Sequence, residues 1–362
     1  MNVLLVQPAR SRNYHTTYPP LGLLKLAAHH RKRGDTVFLA AGTAYVGPPP
    51  DVICITSLFT YAWQAVHEVI RFYTERFPRA RTIVGGIYAT LCPDHLKEAF
   101  DDRIELHRGV VEEVEDVLPD YSLVPGWSTS LIFSSRGCIR NCSFCAVNVL
   151  EPEFKARKSI RHLIYPGHKK VVLWDNNFLA SPYWRDILDE LEDLSVEVDF
   201  NQGLDARLLT EEVAYRLRRL NLRVVRLAYD VPKVRTRLQR AIDLLKAAGF
   251  RGRDIAVYCL YNFTDSPDDF LSRLSDLLEW RVVAYPMRYQ PLEPRPKNSY
   301  VAPSWTPEYL EMIADARRVL GYGGAFVPHD AFRRKVLEAR SFEEAFALAP
   351  PKRSAAQLSL PL

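Results

Sequence analysis

Short apolar runs alternate with helix-length amphipathic segments from the first residues of the chain. NVLLVQP, LGLLKLAAHHRKRG, TVFLA, DVICITS, YAWQAVHEVIRFYTERF and TIVGG follow one another before residue 90. Brief runs of this kind, separated by segments with a period near 3.6, argue for a parallel sheet flanked by helices. The pattern predicts a small doubly wound, Rossmann-like parallel sheet over residues 1–118. Loops at the carboxyl ends of its strands are where such sheets bind ligands.

Two prolines and a glycine interrupt the pattern at Pro119–Thr129, which reads as a linker. The alternation then resumes over residues 130–290. SLIFS, VVLW, VEVDF, RVVRLA, DIAVYCLY and WRVVAYPM are strand candidates, and helical segments are expected around Ser159–Ile164, Tyr183–Leu194, Glu211–Leu220, Pro232–Ala248 and Pro267–Glu279. Six strand-helix repeats fall short of the eight of a closed barrel, so a partial, open (βα)6 barrel is the expected solution. The chain is thus expected to be α/β, with a mostly helical extension over 291–349. A proline-rich crossing segment at 288–304 leads into that extension, which carries helices at 306–320 and 329–348. The tail 350–362 is expected to be disordered.

Composition narrows the class. With 48% hydrophobic and 25% charged residues the chain is that of a soluble globular protein. It has no run of eighteen apolar residues and no leader-like start, so a cytoplasmic protein that makes no membrane contact is expected. The net charge of +5 is mild. It is concentrated in residues 151–170 and in the arginine-rich stretch Arg216–Arg240, which read either as solvated helix faces or as contacts to nucleic acid.

Three of the six cysteines, Cys138, Cys142 and Cys145, fall within eight positions, in SSRGCIRNCSFCAV. In a reducing compartment such clusters bind metal or do chemistry more often than they form disulfides. A structural zinc site wants four protein ligands, and no further Cys or His follows at the usual spacing. Three thiolates suit a cubane iron-sulfur cluster with one iron left open. Cys54 and Cys259, inside apolar runs, read as buried packing residues.

The C-x3-C-x2-C triplet, with aromatic Phe144 before its last cysteine, resembles the signature of the radical S-adenosylmethionine (SAM) superfamily. That resemblance implies a radical SAM barrel and a 4Fe-4S cluster whose open iron chelates the amino and carboxylate groups of SAM. It further implies reductive cleavage to methionine and a 5'-deoxyadenosyl radical, with electrons from a reductant such as flavodoxin or ferredoxin. Trp174-Asp175-Asn176-Asn177-Phe178 is similar to the segment that receives the SAM amino group, which points to Asp175 and Asn177. Asp230, ending the fourth strand, stands where a carboxylate commonly holds the ribose. Helix caps and turns also favour Asp and Asn at such places. Gln202, Arg207, Tyr261, Asn262, Arg288, Tyr289 and Gln290, near strand ends, are candidates to face substrate.

Tyr18-Pro19-Pro20-Leu21-Gly22-Leu23 and Gly85-Gly86-Ile87-Tyr88-Ala89-Thr90 resemble the cobalamin-binding domain that precedes the barrel in one radical SAM class. Without side chains, Gly85 and Gly86 would let a bulky ligand approach the backbone; a tight turn would use the same residues. No D-x-H-x-x-G motif supplies a histidine for cobalt. The terminal QLSLPL, Gln357 to Leu362, resembles the peptide by which bacterial replication and repair proteins dock on the sliding clamp. Together these features point to a radical SAM enzyme modifying or repairing DNA while docked on the clamp. A cobalamin-dependent methylase of a small molecule or peptide, and a non-catalytic iron-sulfur or cobalamin sensor, are the alternatives.

Overall fold

A computed structural model of the chain describes residues 1–9 and 18–348. Its first sheet holds β1 (Asn2–Gln7), β2 (Thr36–Ala41), β3 (Val52–Thr56), β4 (Arg81–Gly85) and β5 (Glu105–Leu106). They stand in the order β2-β1-β3-β4-β5, and every neighbouring pair is parallel. The run Val3-Leu4-Leu5-Val6 is apolar at each position because both faces of β1 are covered. Leu4 and Val6 pack with Val66 and Ile70 of α2 (Trp63–Arg76). Val3 and Leu5 pack with Leu23 and Ala27 of α1 (Leu21–Lys32) on the other side. The short helices α3 (Ile87–Leu91) and α4 (Pro93–Phe100) join β4 to β5.

The second half starts with β6 (Thr129–Ile132), an antiparallel hairpin of β7 (Ser135–Arg136) and β8 (Lys155–Ala156) around the short α5 (Val147–Leu150), and β9 (Lys170–Leu173). There follow α6 (Trp184–Asp193), β10 (Glu197–Phe200), α7 (Glu211–Arg219), β11 (Asn221–Leu222), β12 (Val225–Ala228), α8 (Arg235–Ala247), β13 (Ile255–Tyr261), α9 (Pro267–Glu279) and β14 (Val283–Arg288). Two parallel sheets result, β11-β10-β9-β6 and β12-β13-β14. The stretch 221–228 belongs to both, since Asn221 pairs with Glu197 and Val225 with Ile255. The break between the sheets is bridged by the Leu204 N–H, which donates to Arg226 O at 2.8 Å, and by an ion pair between Arg226 and Asp199.

Helices α6 to α9 bury one stripe each against these strands. Ile187 and Leu191, Val213 and Leu217, Leu238 and Ile242, and Leu274 and Leu277 all enter a single core. Cys259 lies in that core and Cys54 in the first sheet, both buried; desolvation pushes the Cys259 thiol up to about 12. The start of α9 was legible in the letters SPDD. Ser266 and Asp269 cap each other's backbone reciprocally, with Pro267 in the first turn. Beyond β14, α10 (Pro307–Val319), α11 (Asp330–Glu338) and α12 (Phe342–Phe346) extend the same core through Ile313, Phe332, Val336, Phe342 and Phe346.

Several local expectations are corrected. Ser159–Ile164 forms only a 3-10 turn at Arg161–Leu163. The helix expected over 329–348 divides in two, because Ala339 is extended and Ser341 restarts the chain by capping Glu344 N–H. Pro119–Thr129 is packed in place. Tyr121 is buried and its hydroxyl accepts from Leu131 N–H at 2.8 Å, while Asp120 pairs with Arg31 of α1 at 2.5 Å. The hexapeptide Gln357–Leu362 lies outside the described residues. Among those described, no helix is long and apolar enough to cross a membrane.

Candidate active site

The β7–β8 hairpin delivers the cysteine loop to the carboxyl end of β6. Gly137 has φ +75°, and a Cβ there would sit 2.4 Å from Glu153 O, so the chain can enter Cys138 only through a glycine. Cys138 and Cys142 are half-buried and Cys145 is exposed. The Cys145 N–H closes a turn onto Cys142 O at 3.0 Å, and Arg140 N–H points at Cys138 Sγ, 3.4 Å away. Desolvation at the sulfur raises the thiol of half-buried Cys142 and also that of Cys145, whose residue as a whole is exposed, and the neighbouring cysteines push the same way.

The loops after β9 and β10 bring polar groups to this loop. Asn177, only 3% exposed, has Nδ2 at 3.6 Å from Cys138 Sγ and 3.3 Å from Asp205 Oδ2. Its Oδ1 is buried without a hydrogen-bond partner. Asp205 accepts from Arg140 Nε at 2.9 Å and from Arg207 Nε at 2.6 Å. Burial works to raise this carboxyl, but the two guanidinium groups outweigh it and hold it below the usual carboxylate range. Sequence reasoning gave Asp205 no role of its own within the polar stretch 201–207 after the third strand, and it passed over Arg140. Asp205 stood only in a polar stretch, and Arg140 has no spacing relation to it, so nothing in the sequence paired them.

Asp175 is deeper than expected for a ligand-binding group. Its oxygens accept from Ser134 N–H at 3.1 Å, Ser134 Oγ at 2.6 Å and Ser135 Oγ at 2.6 Å, tying β9 to the entry of the cysteine loop. Burial raises its pKa. Asp230, after β12, is pushed up to about 6, chiefly by desolvation, and lies near enough to Cys142 and Cys145 to raise both thiols. Phe144 meets Phe263 edge-on at 5.8 Å. Arg288 donates through one guanidinium nitrogen to Asn298 O at 2.8 Å and Tyr300 O at 3.0 Å. Asn262, with φ +64°, is likewise occupied by Tyr300 O and Ala302 N–H.

The glycine pair of the first sheet also has a structural use. Gly86 has φ +104°, and a Cβ there would lie 2.6 Å from Ser57 O. The space is filled by the backbone of Ser57, the residue after β3, so glycine is needed at this tight turn whatever approaches it. A Cβ on Gly85 would meet only His107, at an ordinary 3.6 Å. We expect Gly86→Ala to lower unfolding free energy by about 2–4 kcal/mol, from the glycine-only backbone region plus the clash; thermal denaturation checks this.

Many cations of the basic runs are already paired. Arg157 pairs with Asp116, Arg161 with Asp193, Lys170 with Glu197, Arg216 with Asp189, Arg219 with Glu192 and Arg235 with Asp276. A face whose cations already hold carboxylates has less charge to offer phosphates.

Among the described residues, no group of three or more His, Cys, Asp or Glu side chains is arranged to hold an ion. The cysteine loop nevertheless fits an iron-sulfur cluster by its donors. It offers three thiols on one loop, close enough to shift one another's ionisation, beside a buried amide oxygen with nothing to accept. No protein-family profile matches the chain, and no curated protein matches it by sequence. Among solved structures it is similar to coproporphyrinogen III oxidase (HemN) from Escherichia coli, a radical SAM enzyme. The TM-score is 0.37 at 14% identity, over 60% of this chain and 60% of that one. At so loose an overlap, any functional reading rests on this chain's own residues.

Proposed function

We propose that the protein is a radical SAM enzyme in which Cys138, Cys142 and Cys145 hold a 4Fe-4S cluster at the carboxyl end of β6, in a partial (βα)6 barrel. The observation that carries this is the meeting of three thiols with the unpartnered Asn177 Oδ1 and the Asp205–Arg207 pair at one end of a parallel sheet. The bound cluster would supply the electron that splits the SAM sulfonium.

The chain's own residues would bind and orient. Asn177 Oδ1 is free to accept an N–H, and Arg207 brings a cation toward Cys142 and Cys138. Asp230 brings a carboxyl whose ionisation burial makes costly. Phe144 and Phe263 set an aromatic pair beside the last cysteine. Asp175 supports the loop from beneath. After anaerobic reconstitution with iron and sulfide and reduction by dithionite, we expect 5'-deoxyadenosine from SAM, and at least ~100-fold less from Asn177→Leu. Zinc at the triplet, or SAM left intact by a loaded cluster, would overturn the reading; the latter result would favour a sensor.

Action on DNA rests on the terminal hexapeptide alone, since many cations of the basic runs are already paired. A peptide of residues 350–362 is expected to bind a bacterial sliding clamp in calorimetry, with Gln357→Ala abolishing the heat. No heat from the unaltered peptide would remove the DNA assignment.

A further inference from the structure

A chain of buried charges runs from the first sheet's helix layer to the cysteine loop. Lys25, on α1 and only 5% exposed, donates through Nζ to Glu115 O at 2.9 Å and lies 3.4 Å from Glu115 Oε1. Glu115 grips Arg136 with both oxygens, at 2.7 and 2.8 Å. Arg136, on β7, reaches Glu151 Oε1 at 2.9 Å and lies over the Phe133 ring, 3.5 Å from its centroid. Glu151 Oε2 then accepts from Gly137 N–H at 2.6 Å and from Asn176 Nδ2 at 2.9 Å. One carboxylate thus holds the residue before Cys138 and the residue before Asn177.

Burying four charges in a row is costly unless each is paired, and removing one partner leaves another exposed to that cost. The links are bidentate or charge-assisted, which are the stronger kinds of hydrogen bond. Their geometry lies outside the reach of a surface ion pair: the side chains of Lys25, Glu115, Arg136 and Glu151 are 6%, 12%, 18% and 11% exposed. Fold stability alone does not require such a chain, since apolar residues of similar volume would serve as well. What the chain does achieve is a fixed position for Gly137 and Asn176 relative to α1.

We propose that Lys25, Glu115, Arg136 and Glu151 are positioning residues through which the N-terminal unit fixes the cysteine loop beside Asn177. The inference rests on the proposed site for its significance but not for its test, which is read first on the metal-free chain. Hydrogen-deuterium exchange of the full-length reduced protein is measured for the unaltered chain, Lys25→Met, Lys25→Arg and Glu151→Gln. Amides of residues 134–146 are expected to exchange about tenfold faster in Lys25→Met and Glu151→Gln, and to return toward the unaltered rate in Lys25→Arg. Amides of β1 and β3 serve as the reference, with unchanged protection expected.

Unchanged protection of 134–146 in both Lys25→Met and Glu151→Gln would overturn the proposal. So would a uniform loss of protection in the first sheet and the loop alike in both variants, which would mark a merely structural role. A second measurement follows reconstitution with iron and sulfide, where the electron paramagnetic resonance signal of the reduced cluster is expected to shift in Lys25→Met and recover in Lys25→Arg. If the unaltered chain takes up no cluster, the functional reading fails while the exchange result still decides the coupling.

Discussion

Replacing Asp175 with alanine is expected to lower the unfolding free energy by about 3–5 kcal/mol, one of the largest effects available to a single substitution in this chain. The carboxylate is 3% exposed and accepts three hydrogen bonds from Ser134 and Ser135. Removing it leaves buried donors without an acceptor, and each such group costs about 1–3 kcal/mol, reduced where a serine hydroxyl turns elsewhere. Asp175→Asn keeps one acceptor oxygen and should cost less than half as much. Urea denaturation of the metal-free chain distinguishes the two. A loss below about 1 kcal/mol for the alanine variant would show that the serines do not depend on this carboxylate. Because Ser134 and Ser135 run directly into Gly137 and Cys138, the alanine variant is also expected to retain less iron after reconstitution, even where it remains folded.

Asp230→Asn is expected to act in the opposite direction, stabilising the metal-free chain at neutral pH. Desolvation pushes the Asp230 carboxyl up to about 6 from 3.8, against the pull of Arg273 and Arg207. A raised carboxyl pKa means that the folded state binds the proton more tightly than the unfolded one. Its stabilising contribution is present in full below about pH 4 and is lost as pH rises through 6. At pH 7.5 the ionised group therefore costs the fold about 2–3 kcal/mol, which asparagine removes. Urea midpoints of both chains at pH 4 and pH 7.5 isolate this term, because every other group titrates alike in the two. An equal gap at both pH values would refute it. If the proposed activity holds, the same variant is expected to lose 5'-deoxyadenosine production in the reconstituted protein while gaining stability.

Much of the fold was legible from periodicity. The six main strands and the helices α6 to α9 of the second half fall where apolar runs and amphipathic segments alternate, because a strand buries one face and a helix one stripe: β13, for instance, is buried at every second position. The capped start of α9 and the burial of Cys54 and Cys259 follow from equally local chemistry. Within the site, the cysteine triplet was legible because its three members share one loop, so that spacing along the chain is spacing in space.

What the tertiary structure alone decided concerns groups that are distant in sequence. The pairing of Arg140 with Asp205 spans 65 residues, that of Asp175 with Ser134 spans 41, and that of Lys25 with Glu115 spans 90. Side-chain type could not distinguish Asp175, turned inward to serine hydroxyls, from Asp205, turned toward guanidinium groups, since both are acidic residues in loops after strands. The same holds for Gly86, whose missing side chain leaves room for the backbone of Ser57, just past the end of β3. Local periodicity reports which face of an element is buried, whereas partners are set by how the elements pack, and hydrogen-bond and charge energies depend on angstrom-scale distances that periodicity does not encode.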